Sequence, residues 1–361
     1  MKTDIDPRVR PTQPDEAYYR NRGDQTRRWG ALLLVVGVIW LVFELTSRGS
    51  LFGWSLGFVE RQAELPARSF AVKQVIIRGL SDNIRLRSAD SGEVLVTGVE
   101  HGFGWNSGAA TSALDHIDVA LDQRGDTLSV EVVRQGGLIG FIGRSPYVDL
   151  QIGLPPGTML DIQTASGDLQ ADNIRADGSL TTISGEIETT DTAGALKVNS
   201  TSGDINMQDH AGSLEVNSTS GEVTLEGAIE QPHVTTVSGD IQLKGVTGDV
   251  QLETISGEID VSDAQDVQAQ LESTSGDVSL QGSLTGESRI ANISGEVHLR
   301  LSDVRDLRLD ASTTSGSIES NLPLTNEERD RRSLRGIVGE GASLLTIATT
   351  SGDIAVEADS R

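Results

Sequence analysis

One short pattern of polar and apolar residues recurs through the second half of the chain. It runs hydroxyl, any residue, serine, glycine, acid and aliphatic, as in STSGDI at residues 200–205. Its glycines are spaced by 18, 18, 18, 18, 18, 19, 19, 21 and 36 residues, the last interval being two periods. A short, regular period predicts a solenoid in which each repeat forms one coil. The glycines are Gly167, Gly185, Gly203, Gly221, Gly239, Gly257, Gly276, Gly295, Gly316 and Gly352.

Aliphatic residues form three columns when the repeats are aligned on their Ser-Gly pairs. The columns stand four positions before, three after and five after each serine, as Leu180, Ile187 and Leu225 illustrate. Because spacing by two is the strand period, the columns on either side of the corner face one interior. Each coil is therefore predicted to have a strand on each side of the Ser-Gly corner, stacked in parallel with its neighbours. Burying each aliphatic contributes about 1.5–3 kcal/mol.

The hydroxyl residue two positions before each serine is in phase with the aliphatic columns, so it is expected to face inward and bond the turn backbone. Glycine is expected at the corner because the bend needs a positive φ or room for the next coil. A second corner is often marked by another glycine, as at Gly194, Gly212 and Gly248.

An acidic column follows the glycines and alternates between aspartate and glutamate over eight coils. Its phase predicts that it faces solvent, where stacked like charges ~4.8 Å apart cost only about 1 kcal/mol per pair before screening. The favoured interpretation is turn capping and solubility, and the less favoured one is a row that binds divalent cations. The column comprises Asp168, Glu186, Asp204, Glu222, Asp240, Glu258, Asp277 and Glu296.

An apolar run near the N-terminus, WGALLLVVGVIWLVF at residues 29–43, predicts one transmembrane helix over 29–47. Basic residues before the run place residues 1–28 in the cytoplasm as a polar tail and the remainder outside, periplasmic or extracellular. A cleaved signal peptide is the competing interpretation, but no small-x-small cleavage pattern follows the run. Residues 48–68 are a juxtamembrane linker, in which LFGWSLGFV at 51–59 is short enough only to lie along the interface.

The segments on either side of the regular coils carry strand patterns without the strict period. Residues 69–160 are predicted to be strands that cap the first end, and residues 161–320 form the regular coils. Residues 321–361 are predicted to be C-terminal coils, with a charged surface loop at 326–335 and the last motif closing the stack. The apolar loop at 134–146 is expected to be a lid over the first coil or a contact surface.

Composition narrows the function classes. The chain of 361 residues has a net charge of −24, which disfavours nucleic acid because phosphate recognition needs clustered Lys and Arg. It has no Cys, so it contains neither disulfides nor thiol chemistry. No cofactor is expected. The histidines are scattered over different columns and are each expected at the surface: His101, His116, His210, His233 and His298.

The order of segments resembles a known family. An apolar anchor, then LPPGTMLDIQTASGDL at 154–169, the T-x-S-G-[D/E]-[I/V] coils and a closing GEGASLLTIATTSGDIAV at 339–356 are similar to the bacterial adhesin-like β-strand-repeat family, domain of unknown function 4097. The resemblance covers about residues 69–361. It implies an all-β, single-stranded parallel β-solenoid of the bacterial envelope, with no established catalytic residues to transfer.

These observations favour a non-catalytic binding or scaffold module, adhesin-like, anchored in the membrane by residues 29–47. Its partner is expected to be a cell-wall polymer or an envelope protein, and its oligomeric state is left open. An envelope-stress sensor or accessory protein is the first alternative, although residues 1–28 show no signalling fold. A polysaccharide-acting enzyme is the weakest, because the only regular acids form a uniform column rather than a local cluster. Ice binding is disfavoured, because the hydroxyl column faces in.

Overall fold

The structure is a computed structural model that describes residues 50–51, 54–55, 59–89, 91–134 and 145–359. The predicted transmembrane helix at 29–47, the tail and most of the loop at 134–146 lie outside these residues. Within them, no helix has both the length and the apolarity needed to cross a membrane.

The N-terminal part contains nine strands and one short helix among its described residues. Strands β1 and β2 form a small antiparallel pair. The elements are β1 Ser50–Leu51, β2 Trp54–Ser55, β3 Val59–Phe70, β4 Gln74–Arg78, β5 Asn83–Ser88, β6 Val94–Gly104, α1 Ser107–Leu114, β7 Ile117–Arg124, β8 Thr127–Arg134 and β9 Tyr147–Leu154.

The regular coils contain two strands each, before and after the Ser-Gly corner. We call the stack of preceding strands face 1 and the stack of following strands face 2. The strands are β10 Thr158–Thr164, β11 Leu169–Asp172, β12 Ala176–Thr182, β13 Ile187–Ala193, β14 Leu196–Ser200, β15 Ile205–Ala211, β16 Leu214–Ser218, β17 Val223–Ile229, β18 Pro232–Thr236, β19 Ile241–Lys244, β20 Thr247–Thr254, β21 Ile259–Ser275, β22 Val278–Leu284, β23 Glu287–Ser294 and β24 Val297–Leu301.

Six further strands complete the C-terminal end. They are β25 Leu307–Ser315, β26 Ile318–Ser320, β27 Thr325–Arg329, β28 Ser333–Val338, β29 Ser343–Ser351 and β30 Ile354–Ala358. The charged segment predicted as a surface loop at 326–335 instead lies mostly in the antiparallel hairpin β27–β28, because Leu334 and Val338 are buried against the end coil. This prediction was wrong.

Parallel registers confirm the predicted stacking of coils. Ile162 pairs with Leu180, Leu180 with Val198, and Val198 with Val216, one coil at a time. All members of the predicted columns that begin at Ile162 and Leu169 are buried, so they form one continuous core along the axis. In the described part of the chain, twelve parallel levels stack over about 53 Å.

The corner glycines are explained by close approach. A Cβ atom at Gly185 would overlap the carbonyl oxygen of Gly167 in the preceding coil, and one at Gly221 would overlap that of Gly203. The second corner consists of two bends. In one coil these lie at Asp191, which has a φ of 49°, and at Gly194, which has a φ of 125°. Thr192 between them pairs with His210 of the next coil, giving each of these coils a short third side.

The order of coils at the C-terminal end differs from the order in the sequence. Strand β29 pairs with β23 on one side and β25 on the other, and β30 lies likewise between β24 and β26. The Gly352 coil is therefore inserted between the Gly295 and Gly316 coils. The prediction that the last motif closes the stack was wrong, because the outermost coil is that of Gly316, covered by β28 and β27.

The N-terminal end is interleaved in the same manner. Strands β4 and β5 lie between β8 and β9 on the outer side and β10 and β11 on the inner side. Hairpin partner β7 and the antiparallel strands β6 and β3 complete this end. In sequence order, the strands of the second level therefore come before the strands of the outermost level.

Candidate functional site

An exposed row of β-branched side chains runs along the stack beside the Ser-Gly corners. It consists of the variable residue between the inward hydroxyl and the serine, and it faces out because the hydroxyl on its N-terminal side is turned into the coil. Ile183, Ile255 and Ile293 are 52–53% exposed and Val237 is 41% exposed, an unusual placement for large aliphatic residues. Thr201, Thr219, Thr274, Thr314 and Thr350 occupy five of the other positions, and the Gly167 coil has Ala165 instead.

The inward hydroxyls hold this row in place. Thr182 Oγ1 accepts a hydrogen bond from the Gly185 N–H at 2.9 Å, and Ser218 Oγ accepts one from the Gly221 N–H at 3.1 Å. Thr236 Oγ1 donates to Thr254 Oγ1 of the next coil at 3.0 Å. All ten residues of this column are buried, as the sequence predicted, so the turn and the outward residue are fixed together.

Part of the exposed row lies in an open groove of about 650 Å³. The groove crosses six successive coils, from the Gly239 coil to the Gly316 coil, a length of about 24 Å. Val237, Ile255 and Ile293 supply its apolar surface, and threonine and serine hydroxyls lie between them. Among the described residues, its lining includes two carboxylates, Glu253 and Glu272, and no basic side chain.

The acidic column lies on the surface as predicted, and all eight members are exposed. The aspartates have a specific role, because each accepts a hydrogen bond from the backbone N–H that follows the glycine of the next coil. Asp168 Oδ1 accepts from Glu186 N at 3.1 Å, and Asp240 Oδ1 accepts from Glu258 N at 2.8 Å. The same contact is made by Asp204 to Glu222 and by Asp277 to Glu296.

Two of the glutamates make a different contact that needs their greater length. Glu186 Oε1 accepts from Asn206 Nδ2, and Glu222 Oε1 accepts from Gln242 Nε2, both at 2.7 Å and both on face 2 of the next coil. The alternation thus places a capping aspartate on every second coil. On two of the coils between them, it places a glutamate long enough to contact face 2 of the next coil. Among the residues that the structure describes, no group of three or more His, Asp or Glu side chains is arranged to hold a metal ion. Cation binding by the column stays a prediction.

Two of the histidines predicted at the surface are buried, so that prediction was wrong for them. His210 is 1% exposed, its Nδ1 lies 2.9 Å from Thr192 Oγ1, and burial lowers its pKa from the ordinary 6.5. His233 is half-buried, whereas His116 and His298 are exposed as predicted.

His101 is the other buried histidine, at 7% exposure, and it joins β6 to its neighbours. Its Nδ1 lies 2.7 Å from Glu60 Oε1 of β3, and its ring stacks on Tyr147 of β9 at 4.5 Å. Its Nε2 lies 3.0 Å from Asp149 Oδ2 without hydrogen-bond geometry. This cluster joins β3 and β6 to β9 and so fastens them to the stack.

A buried ion pair lies at the corner of the inserted N-terminal coil. Asp82 is fully buried and accepts from Arg134 Nη2 at 2.6 Å and from Val148 N at 2.9 Å. It therefore connects the inserted coil to both strands of the outermost coil. Removing either partner of such a pair would leave an uncompensated buried charge.

Two overlapping matches to one family model, described as Toastrack DUF4097, cover residues 107–283 and 234–357. The chain belongs to this family. The matches include every Toastrack coil from Gly167 onward, the inserted Gly352 coil and the helix α1. No curated protein matches the chain.

Several solved structures align with most of this Toastrack chain at low similarity. A candidate adhesin from Bacteroides fragilis NCTC 9343 is 14% identical with a TM-score of 0.29, covering 84% of this chain and 97% of that chain. A candidate lipid-binding protein from Parabacteroides distasonis ATCC 8503 is 13% identical with a TM-score of 0.31, covering 82% and 96%. A candidate cell adhesion protein from Clostridium sporogenes ATCC 15579 is 7% identical with a TM-score of 0.20, covering 84% and 100%.

Proposed function

We propose that this Toastrack chain is a non-catalytic binding or scaffold module of the bacterial envelope. Residues 29–47 anchor it in the membrane, residues 1–28 lie in the cytoplasm, and the solenoid lies outside. The observation that supports a binding role is the open groove across six coils, with Ile255 and Ile293 exposed in it.

The groove suits an elongated partner. Its apolar and hydroxyl side chains recur at the coil spacing of ~4.8 Å along the axis, so a chain-like molecule could make the same contact repeatedly. Of the described residues that line it, Glu253 and Glu272 alone are charged, which disfavours a polyanion. An extended segment of an envelope protein or a neutral stretch of wall polymer meets these conditions.

Site-specific photo-crosslinking in intact cells tests the proposal. A photoreactive residue at Ile255 or Ile293 should give an adduct of defined mass, because both side chains project into the groove. Ile183 provides a matched control, since it belongs to the same exposed row but lies outside the groove. Gln242, exposed on face 2, provides a second control.

Specific adducts at 255 and 293 alone would support the groove as the binding surface. Equal adducts at all four positions would indicate nonspecific contact and contradict it. Deleting residues 69–361 should abolish pull-down of the partner or cell attachment while leaving membrane insertion intact, because insertion is assigned to 29–47. Loss of the protein from the membrane fraction on deleting only 29–47 would support the anchor independently.

A further inference from the structure

Strands β3 and β6 form an antiparallel ribbon whose end projects past the stack. Strand β6 pairs with β9 only from Leu95 to His101, whereas its pairing with β3 continues to Gly104, which lies opposite Val59. Helix α1 packs on this overhang. A Cβ atom at Gly102 would overlap the carbonyl oxygen of Ala110, so the two glycines Gly102 and Gly104 let the helix approach the ribbon backbone.

The end of this overhang carries a large exposed aromatic side chain. Trp105 follows directly after β6 and is 65% exposed, the most exposed large hydrophobic residue among those described. Val59, on the neighbouring strand, is 37% exposed. We call Val59, Trp105 and the exposed first residues of α1, Ser107 and Gly108, the ribbon tip. Tryptophan rings have an apolar body and one N–H donor, a combination that favours the boundary between lipid and water.

The chain path brings the ribbon tip close to the predicted anchor. Only residues 48–58 separate the end of the anchor from Val59, so the tip is tethered within about 40 Å of the membrane surface. The acidic charge of the regular coils also favours an orientation with the ribbon tip toward the membrane and the coils away from it. Residues 161–300 contain 24 acidic and five basic residues, so an anionic lipid surface repels the regular coils. The tip itself contains no charged residue, and exposed Glu60 and Arg61 beside it on β3 offset each other.

We propose that the ribbon tip docks on the outer lipid interface beside the anchor, with Trp105 inserted at the headgroup level. This inference rests on the proposed anchoring by residues 29–47. Docking at two points, the anchor and Trp105, fixes the direction of the stack relative to the membrane. The acidic coils and the groove then point away from the lipid, toward a partner.

Depth-dependent fluorescence quenching tests the docking. The full-length chain carries Trp29, Trp40 and Trp54 replaced by Phe, which leaves Trp105 as its only tryptophan. It is reconstituted in vesicles of phosphatidylcholine and phosphatidylglycerol, with or without a nitroxide near the headgroup end of the acyl chain. Because interfacial tryptophan lies at this depth, Trp105 emission should fall by about half.

The matched control moves the fluorophore to the middle of the stack. Trp105 is replaced by Phe and Ile293, which is 53% exposed, by Trp in the same background. Its emission should be unaffected by the nitroxide lipid. Circular dichroism and vesicle flotation of both variants establish that each is folded and membrane-bound.

The outcomes separate this inference from the anchoring. A chain that floats with the vesicles but shows equal quenching at Trp105 and at the 293 position overturns the docking and leaves the anchor standing. A chain that does not float overturns both. Protection of Trp105 from aqueous iodide without quenching by the nitroxide lipid would assign the tip to a protein contact instead, which also overturns the docking.

Discussion

The regular coils and the two ends of the solenoid use the same building unit but order it differently. From the Gly167 coil to the Gly295 coil, each coil stacks on the one before it in the sequence. At the C-terminal end, the Gly352 coil enters between two coils that precede it, and residues 74–88 occupy an equivalent place at the N-terminal end. A shared coil geometry therefore does not by itself determine which coil is next in space.

The aspartate caps distinguish the possible orders. In space the acidic column continues from Glu296 to Asp353, so the alternation of aspartate and glutamate persists through the inserted coil. Asp353 Oδ1 accepts from Ser317 N at 2.7 Å and from Ser317 Oγ at 2.9 Å, completing the column in the outermost coil. In sequence order, Ser317 would follow Glu296 and the alternation would stop one coil early.

Alanine at a corner glycine should have the largest effect in either region. Gly221→Ala places a Cβ against the Gly203 carbonyl oxygen, and Gly352→Ala places one against that of Gly295. Because backbone cannot yield without breaking the ladder, each should lower the free energy of unfolding by about 3 kcal/mol, measured by urea unfolding. Gly92→Ala, which has open space around it, is the control and should change it by less than about 0.5 kcal/mol. A much smaller loss at Gly352 than at Gly221 would show that the inserted coil is stacked less tightly.

Hydrogen exchange should show that the inserted coil is better protected than the coil outside it. Residues 354–356 are paired on one side with β24 and on the other with β26, whereas, in the described part of the chain, residues 318–320 pair only with β30. Strand β30 should therefore exchange at least about tenfold more slowly than β26, although it is nearer the C-terminus. Peptide-resolved mass spectrometry measures both. Faster exchange at 354–358 would contradict the inserted order.

Mild acid should weaken the middle of the solenoid through His210. Burial lowers the pKa of this ring below 6.5, so the unfolded chain binds a proton in a pH range where the folded chain does not. The contribution is fully present above pH 6.5 and is lost as the pH falls toward the lowered value, with a slope of at most about 1.4 kcal/mol per pH unit. Urea midpoints from pH 7.5 to 5 measure it. His210→Leu should reduce this slope, and an unchanged slope would locate the sensitivity elsewhere.

Stronger acid should weaken the contact between the inserted coil and the outermost coil through Asp353. Of the four predicted effects, this one should be the smallest. Hydrogen bonds from Ser317 N and Oγ hold the pKa of this carboxyl below its ordinary 3.8. The stabilisation is therefore present above pH 3.8 and is lost as the pH falls through the lowered folded pKa. Exchange of residues 318–320, measured from pH 5 to 2.5 with correction for intrinsic rates, should rise in that window. Ser317→Ala removes only the hydroxyl donor and should move the rise to higher pH; no movement would contradict the assigned cause.

The core columns could be predicted from the sequence because period and phase are local properties. Leu180, Ile187 and Thr182 are buried as their spacing required. His210 was placed at the surface because the column seven residues after each glycine was overlooked. That column includes Ile174 and Val246, both buried, and it would have indicated an inward histidine.

The spatial order of the coils and the N-cap of helix α1 were harder to predict, for a physical reason. Gly316 and Gly352 stand in nearly identical motifs, so hydrophobic pattern cannot separate their positions, and only the missing acid at Ser317 signals the order. Helix α1 was also missed. Its signal is Asn106, whose Oδ1 accepts from Ala109 N at 2.8 Å, before a short alanine-rich stretch. The groove is lined by residues of six coils, so no single repeat encodes it.

The inserted coil makes an inner layer of the stack depend on residues that come late in the sequence. Residues 343–358 follow β23 and β25 in the sequence, yet they form an inner layer joined to both sides of the gap between them. A chain cut before residue 343 does not simply become one layer shorter. It leaves the Gly295 and Gly316 coils facing each other with open backbone edges, which are templates for aggregation. Closure of these backbone edges therefore depends on residues 343–358.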